Sequence, residues 1–238
     1  MKGVIRIRQG EAIWKGEIGS ELTFDDVIND LRYFEEGGYD SVLIHLQSIG
    51  GILGEAVSMI NRIKSSSLTI TFVVDSFVGS AGTLLAISGD RLLMPENAKF
   101  AIHNCYKPVV YDVDLTTIES LTTELKELNS ISKKMYLKKA NNITEEKLSE
   151  LMDKTTYLSA EDCLKYGFCD KVIDPSDVYL VGREISQKLL ELNPDIKQKI
   201  VIDDFKGIKK VVNEPVYERS QELQETFDYL RSIGLYFD

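Results

Sequence analysis

Apolar positions along this chain repeat with two alternating periods, and the switching predicts strands interleaved with helices. Val4 to Ile7 and Ala12 to Trp14 read as short strands. Phe24, Val27, Leu31 and Phe34 then recur at helical spacing. Thr23 stands ahead of them as a cap, with Asp26 three residues on, and Gly37-Gly38 ends the helix. Ser41 to Leu46 is the next strand, broken by Gln47-Ser48-Ile49-Gly50-Gly51. Glu55 to Ile63 is a helix with Val57, Ile60 and Ile63 inward, and the β-branched run Thr69 to Val74 reads as a buried strand. Such alternation implies an α/β fold with a largely parallel sheet and right-handed crossovers.

Beyond His103 the pattern changes. Tyr106 to Val113 reads as extended, and a long helical pattern runs from Asp114 to about Ala140. Its apolar stripe from Leu115 to Ile131 is longer than one small neighbour can cover, so part of it is expected to pack on another subunit. Thr144 caps a short helix carrying Leu148, Leu151 and Met152. Ser159-Ala160-Glu161-Asp162 caps another that ends at Gly167, and Lys171 to Ile173 is strand-like. Asp174-Pro175 marks a boundary, giving a domain at 1–173 and a C-terminal extension at 174–238. The extension has helical patches at Ile185–Leu192 and Ser220–Ile233, and enough apolar residues that it does not read as disordered.

Composition narrows the class. The 238 residues are 43% hydrophobic and 28% charged, ordinary for a globular protein. A net charge of −10 argues against a sequence-independent grip on nucleic acid or on an anionic membrane. No apolar run is long enough to span a bilayer, and Met1-Lys2-Gly3-Val4 opens no signal-peptide core. Three cysteines, an odd number, suggest reduced thiols in a cytoplasmic setting. Neither a cofactor nor a metal is expected.

The chemistry concentrates between Val73 and His103. Gly79-Ser80-Ala81-Gly82 sits at a strand-to-helix transition, where small residues allow a sharp turn that leaves a hydroxyl at a helix start. Acyl transfer needs two backbone N–H groups aimed at one oxygen. The residue after Ser80 can supply one, and the Gly50-Gly51 turn the other. Each of these segments, taken alone, also suits ordinary packing. His103 closes the stretch; the second histidine, His45, reads as packed or half-exposed within its strand. Cys105 lies two residues from His103, a spacing that shares a strand face and favours a buried structural thiol over a nucleophile.

In combination, four segments resemble the ClpP-type serine peptidases, especially the ClpP-like head maturation (prohead) proteases of tailed phages. They are Ser48-Ile49-Gly50-Gly51; Gly79-Ser80-Ala81-Gly82 with Ser88-Gly89-Asp90; Met94-Pro95-Glu96-Asn97-Ala98 leading to Ile102-His103-Asn104; and Tyr157-Leu158-Ser159-Ala160-Glu161 with Tyr166-Gly167-Phe168-Cys169-Asp170. The resemblance covers roughly Ile13 to Ile173. It implies a ClpP/crotonase-like spiral of ββα units, with a long helix after the histidine taking part in ring packing. It also implies Ser80 as nucleophile, His103 as general base, and the N–H groups of Gly51 and Ala81 as the oxyanion hole. Two positions depart from the family. Ile49 stands where the turn has proline, and Thr155 occupies the place of the triad acid. Either Asp153, two positions earlier, reaches the histidine, or the site is a Ser-His dyad assisted by Thr155.

The implied activity is serine endopeptidase action on protein substrates, with capsid or scaffold proteins cleaved in the host cytoplasm, inside assembling phage procapsids. Homo-oligomeric rings are implied too. One alternative is a cellular Clp-type peptidase fed by an ATP-dependent unfoldase, although little chain precedes the first strand to make a docking loop. The other is an inactive ring-forming scaffold, suggested by Thr155 and the extension. A crotonase acyl-CoA enzyme shares the fold but gives no reason for pairing Ser80 with His103.

Overall fold

The computed structural model of the chain describes residues 9–109, 113–178 and 208–209. The expected strand at Val4–Ile7 and the helical patches at Ile185–Leu192 and Ser220–Ile233 lie outside them. Among the described residues, no helix is long and apolar enough to cross a membrane.

Strands and helices alternate as the periodicity predicts. β1 (Gln9–Lys15) leads to α1 (Phe24–Glu36), β2 (Ser41–Ser48), α2 (Leu53–Lys64) and β3 (Thr69–Gly79). The short α3 (Ala81–Ala86) follows at once, then β4 (Arg91–Pro95) and β5 (Lys99–Ile102). α4 (Leu115–Lys139), α5 (Glu145–Asp153), β6 (Thr156–Ser159), α6 (Ala160–Tyr166) and β7 (Lys171–Ile173) complete the body. Residues Ile208–Lys209 form β8, which lies parallel to β1 at the sheet edge. Local signals set the helix ends. Thr23–Asp26 and Ser159–Asp162 each form a reciprocal capping box, and Gly167 takes the left-handed conformation that stops α6.

The strands form one sheet in the order β6-β5-β3-β2-β1-β8, and every pairing is parallel except β5 with β6. β3 is the hinge of this arrangement. Its first half pairs with β4 through Thr71, Phe72 and Val73; its last turn pairs with β5 through Phe77, Val78 and Gly79. The long strand thereby carries the chain from the core out to Ser80. The main core lies between the sheet and its helices, built around Trp14, Phe34, Phe72, Phe100 and Phe168. A smaller cluster of Leu43, Val73, Leu93, Ile173 and Val178 covers part of the other face, so compact packing continues past Ile173.

Several expectations are refined. α2 buries Ala56 and Met59 beside Ile60 and Ile63, while Val57 is half-buried. β3 runs five residues past Val74, across Asp75 and Ser76, whose polarity hid its continuation. α4 buries only Ser132 and Tyr136; Leu115, Ile118 and Ile131 are exposed within this chain. Cys163 and Cys169 are buried, but Cys105 is half-buried. Burial pushes the Cys169 thiol up to about 11 and Cys163 higher still, as expected of inert thiols.

His45 is neither half-exposed nor simply packed. It is fully buried between two carboxylates, with Nδ1 2.8 Å from Asp75 Oδ1 and Nε2 2.9 Å from Glu11 Oε1. These partners come from β3 and β1, on either side of β2. Burial alone would push the imidazole down, but the hydrogen bonds and charges of Asp75 and Glu11 outweigh it and raise it to about 9. A raised folded-state value means stability that is complete below the ordinary value of 6.5 and lost as pH climbs through about 9. Thermal unfolding should therefore show stability falling across that window, by up to about 3 kcal/mol. His45→Gln should lower stability and flatten the dependence; an unchanged slope would contradict a charged His45.

Candidate active site

The site is assembled where β2, β3 and β5 end side by side. Parallel pairing places Gly79 opposite Ala101, and the Ser80 N–H donates to the Ala101 carbonyl at 2.9 Å. Ser80 thus leaves its strand beside β5, which ends at Ile102, one residue before His103. Ser80 itself has φ 51 and ψ −130, a conformation that L-residues avoid. Only two non-glycine residues among those described have positive φ; the other is Thr155, at φ 49. Both stand next to strand residues paired with β5, the strand that leads to His103. Strain of this kind, of order 1–3 kcal/mol per residue, persists only where the surroundings enforce it.

What enforces it at Ser80 is mostly backbone. Gly50, with φ 101, leans on the turn so closely that a Cβ there would sit 2.6 Å from Ser80 Cβ and 2.7 Å from the Gly79 carbonyl. The same point lies 3.0 Å from the Ala81 nitrogen, so the glycine turn and the first residue of α3 face one another. Ser48 fixes the turn by donating to the Gly16 carbonyl at 2.6 Å and accepting from the Gly50 N–H at 3.1 Å. Ile49, in place of proline, packs on Phe77 and Ala101. Gly51 is held between the Ile18–Gly50 and Ile52–Ile18 hydrogen bonds, and its φ of 140 leaves no room for a side chain against the Ile18 carbonyl. No hydrogen bond between described residues uses the N–H of Gly51 or of Ala81. Ala81 follows Ser80 directly, and Gly51 follows the glycine that presses on the Ser80 turn.

Behind Ser80 a chain of hydroxyls reaches α4. The Thr83 hydroxyl donates to the Ser80 carbonyl at 2.5 Å, so the buried Tyr136 hydroxyl donates in turn to Thr83.

The histidine side is built differently from the expectation. His103 Nδ1 lies 2.6 Å from the Asn104 carbonyl. A carbonyl only accepts, so Nδ1 carries the proton, which leaves Nε2 as the ring's basic nitrogen. Among the described residues no hydrogen bond joins Ser80 Oγ to the ring; contact between such groups often tightens only with substrate bound. The Tyr106 ring lies 5.6 Å from the imidazole, centre to centre.

Asp153 does not bond His103. Its Oδ1 accepts from Asn104 Nδ2 at 2.7 Å, at the exposed end of α5. Thr155 stands one step beyond the last β5–β6 pair, Ile102 with Thr156, and so opposite His103 in register. Its side chain is exposed, and among the described residues it makes no hydrogen bond to the ring. Cys105 turns its sulfur to Ser132 Oγ, 3.8 Å away. Asn129, which the helical pattern gave no reason to single out, accepts the Cys105 N–H at 2.6 Å.

A serine in a strained strand-to-helix turn, with backbone N–H groups beside it and a histidine after the neighbouring strand, is a combination that acyl transfer uses. The family model for Clp protease matches residues 7–176. The ATP-dependent Clp protease proteolytic subunit of Leuconostoc citreum (strain KM20) is 25% identical over 169 residues, covering 68% of this chain and 82% of that protein. The structure of a single-substitution mutant of ClpP1 from Listeria monocytogenes has a similar fold, with a TM-score of 0.60 and 22% identity over 69% of this chain and 91% of its own. The chain belongs to the Clp protease family and is a serine endopeptidase of the ClpP type.

Two mutations test the geometry. Gly50→Ala drives a methyl into the Ser80 turn and should slow labelling of the serine by a fluorophosphonate about 100-fold, as misplacing a reacting group does. Gly54→Ala, whose methyl meets nothing within 4 Å, is the control and should leave the rate unchanged. Thr155→Asp puts a residue that tolerates positive φ beside His103 and adds a carboxylate. Labelling should rise more than about tenfold, part of the ~10⁴ that a triad carboxylate supplies. An unchanged rate would show that position 155 does not address the imidazole.

Proposed function

We propose that Ser80 is the nucleophile and His103 the general base, and that the N–H groups of Gly51 and Ala81 hold the oxyanion, in an endopeptidase acting on protein chains. The observation that carries this reading is the left-handed Ser80, pressed into place by Gly50 on the strand next to His103. His103 Nε2 takes the Ser80 proton as Oγ attacks the scissile carbonyl, and returns it to the leaving amine. The oxyanion forms beside the Gly51 and Ala81 N–H groups. Water then hydrolyses the acyl-enzyme by the same route. Residues 174–238 are read as an extension appended to this unit.

Two settings fit such an enzyme. The motifs resemble those of phage head maturation proteases, which would make capsid or scaffold proteins the substrate. The named function of the Leuconostoc relative favours the other setting, a cellular proteolytic subunit working with an ATP-dependent unfoldase. Neighbouring genes separate them: portal and major capsid genes support the first, an unfoldase gene the second.

The same reading includes assembly. α4 leaves Leu115 78% exposed, with Ile118 and Ile131 nearly half exposed, so this stripe is proposed to pack on a second copy of the chain. Sedimentation should give an oligomer that weakens when Leu121 and Leu125 become charged, and a monomer at micromolar concentration would contradict it. For the chemistry, a fluorophosphonate should label the wild type but neither Ser80→Ala nor His103→Ala. Labelling that survives Ser80→Ala would sink the assignment; no labelling of any form would favour an inactive scaffold.

A further inference from the structure

The peptide group linking Asn104 to Cys105 has partners on both sides. Its carbonyl accepts from His103 Nδ1 at 2.6 Å, and its N–H donates to Asn129 Oδ1 at 2.6 Å. A trans peptide holds these two bonds on opposite edges of one rigid plane. Asn129 sits on α4 in one row with Ser132 and Tyr136, at i, i+3 and i+7, so all three face the site segments. Ser132 meets the Cys105 sulfur, and Tyr136 supports Ser80 through Thr83. A second anchor holds the same residue from outside, where the Asn104 side chain donates to Asp153.

We infer that Asn129 is a positioning residue for His103, acting through the Asn104–Cys105 peptide, which does the orienting work of the absent triad carboxylate. The inference rests on the reading of Ser80 and His103 as nucleophile and base. An acceptor on the peptide N–H polarises the carbonyl on its other edge and makes it a better partner for the imidazolium that forms as Ser80 is deprotonated. Without the acceptor, the plane loses its anchor on α4 and holds the ring less firmly. Asp153, on this account, steadies Asn104 and does not address the ring. The titratable groups near His103 are Tyr106 on its own loop and, through Asn104, Asp153 on α5, while the Cys105 sulfur is turned to Ser132. Thr155 and the Ser80 turn bring none.

The test is the pH dependence of Ser80 labelling by a fluorophosphonate, measured on the full chain. Asn129→Leu keeps the size but removes the acceptor. It should slow labelling about tenfold or more, less than the ~10⁴ lost with a triad carboxylate, and move the midpoint of the rising limb to lower pH. Asn129→Asp keeps an acceptor and adds charge, so it should hold the rate and move the midpoint up. A merely structural role would change amplitude without moving the midpoint. In a Thr155→Asp background, where a carboxylate is offered to Nδ1, Asn129→Leu should lose most of its effect. If Asn129→Leu does not fold, Asn129→Asp decides alone: a raised midpoint supports the inference and an unmoved one overturns it. A wild type that is not labelled at Ser80 refutes the underlying reading. A labelled wild type whose rate and midpoint are shared by both variants overturns this inference only.

Discussion

One close approach governs this molecule: the backbone of Gly50 lies where no side chain fits, against the Cβ of Ser80. From it follow the positive φ of Ser80 and the facing of the glycine turn and the first residue of α3. The contact needs β2 and β3 in parallel register, with a slip between Leu46 and Ser48 that lets the glycine turn fold over the end of β3. It also needs Ser48 to hold the turn from inside. The sheet and its core are therefore the means by which a strained turn is kept strained.

α4 backs the site from the other side. Its C-terminal half reaches the Ser80 turn through Tyr136 and Thr83, and the His103 loop through Asn129. Its N-terminal half leaves Leu115 and Ile118 exposed in the single chain. Position 155 holds a β-branched residue in a conformation suited to aspartate or asparagine, at the register position opposite the imidazole.

Much of this was legible in the sequence because it is local. The cap at Thr23 with Asp26, the stop at Gly167 and the small residues around Ser80 act within a few positions, and α1, α2, α4, α5 and α6 lie where periodicity put them. What escaped depends on distant partners. His45 meets Glu11 and Asp75, 34 and 30 positions away, across three strands, so its charge leaves no trace in any window of sequence. Asn129 reads as one more polar residue on an amphipathic helix until the loop after His103 is folded against it. The β-branched run stops at Val74 because Asp75 interrupts it, and that interruption is the carboxylate His45 requires.

The central claim is that Ser80, His103 and two backbone donors act on one carbonyl carbon. A crystal structure of the full chain inactivated by a peptidyl chloromethyl ketone tests it most directly. The account predicts one covalent bond to Ser80 Oγ and one to His103 Nε2, with the former carbonyl oxygen about 2.7–3.1 Å from the nitrogens of Gly51 and Ala81. Attachment at another nucleophile, or an oxygen turned away from those two nitrogens, would contradict it.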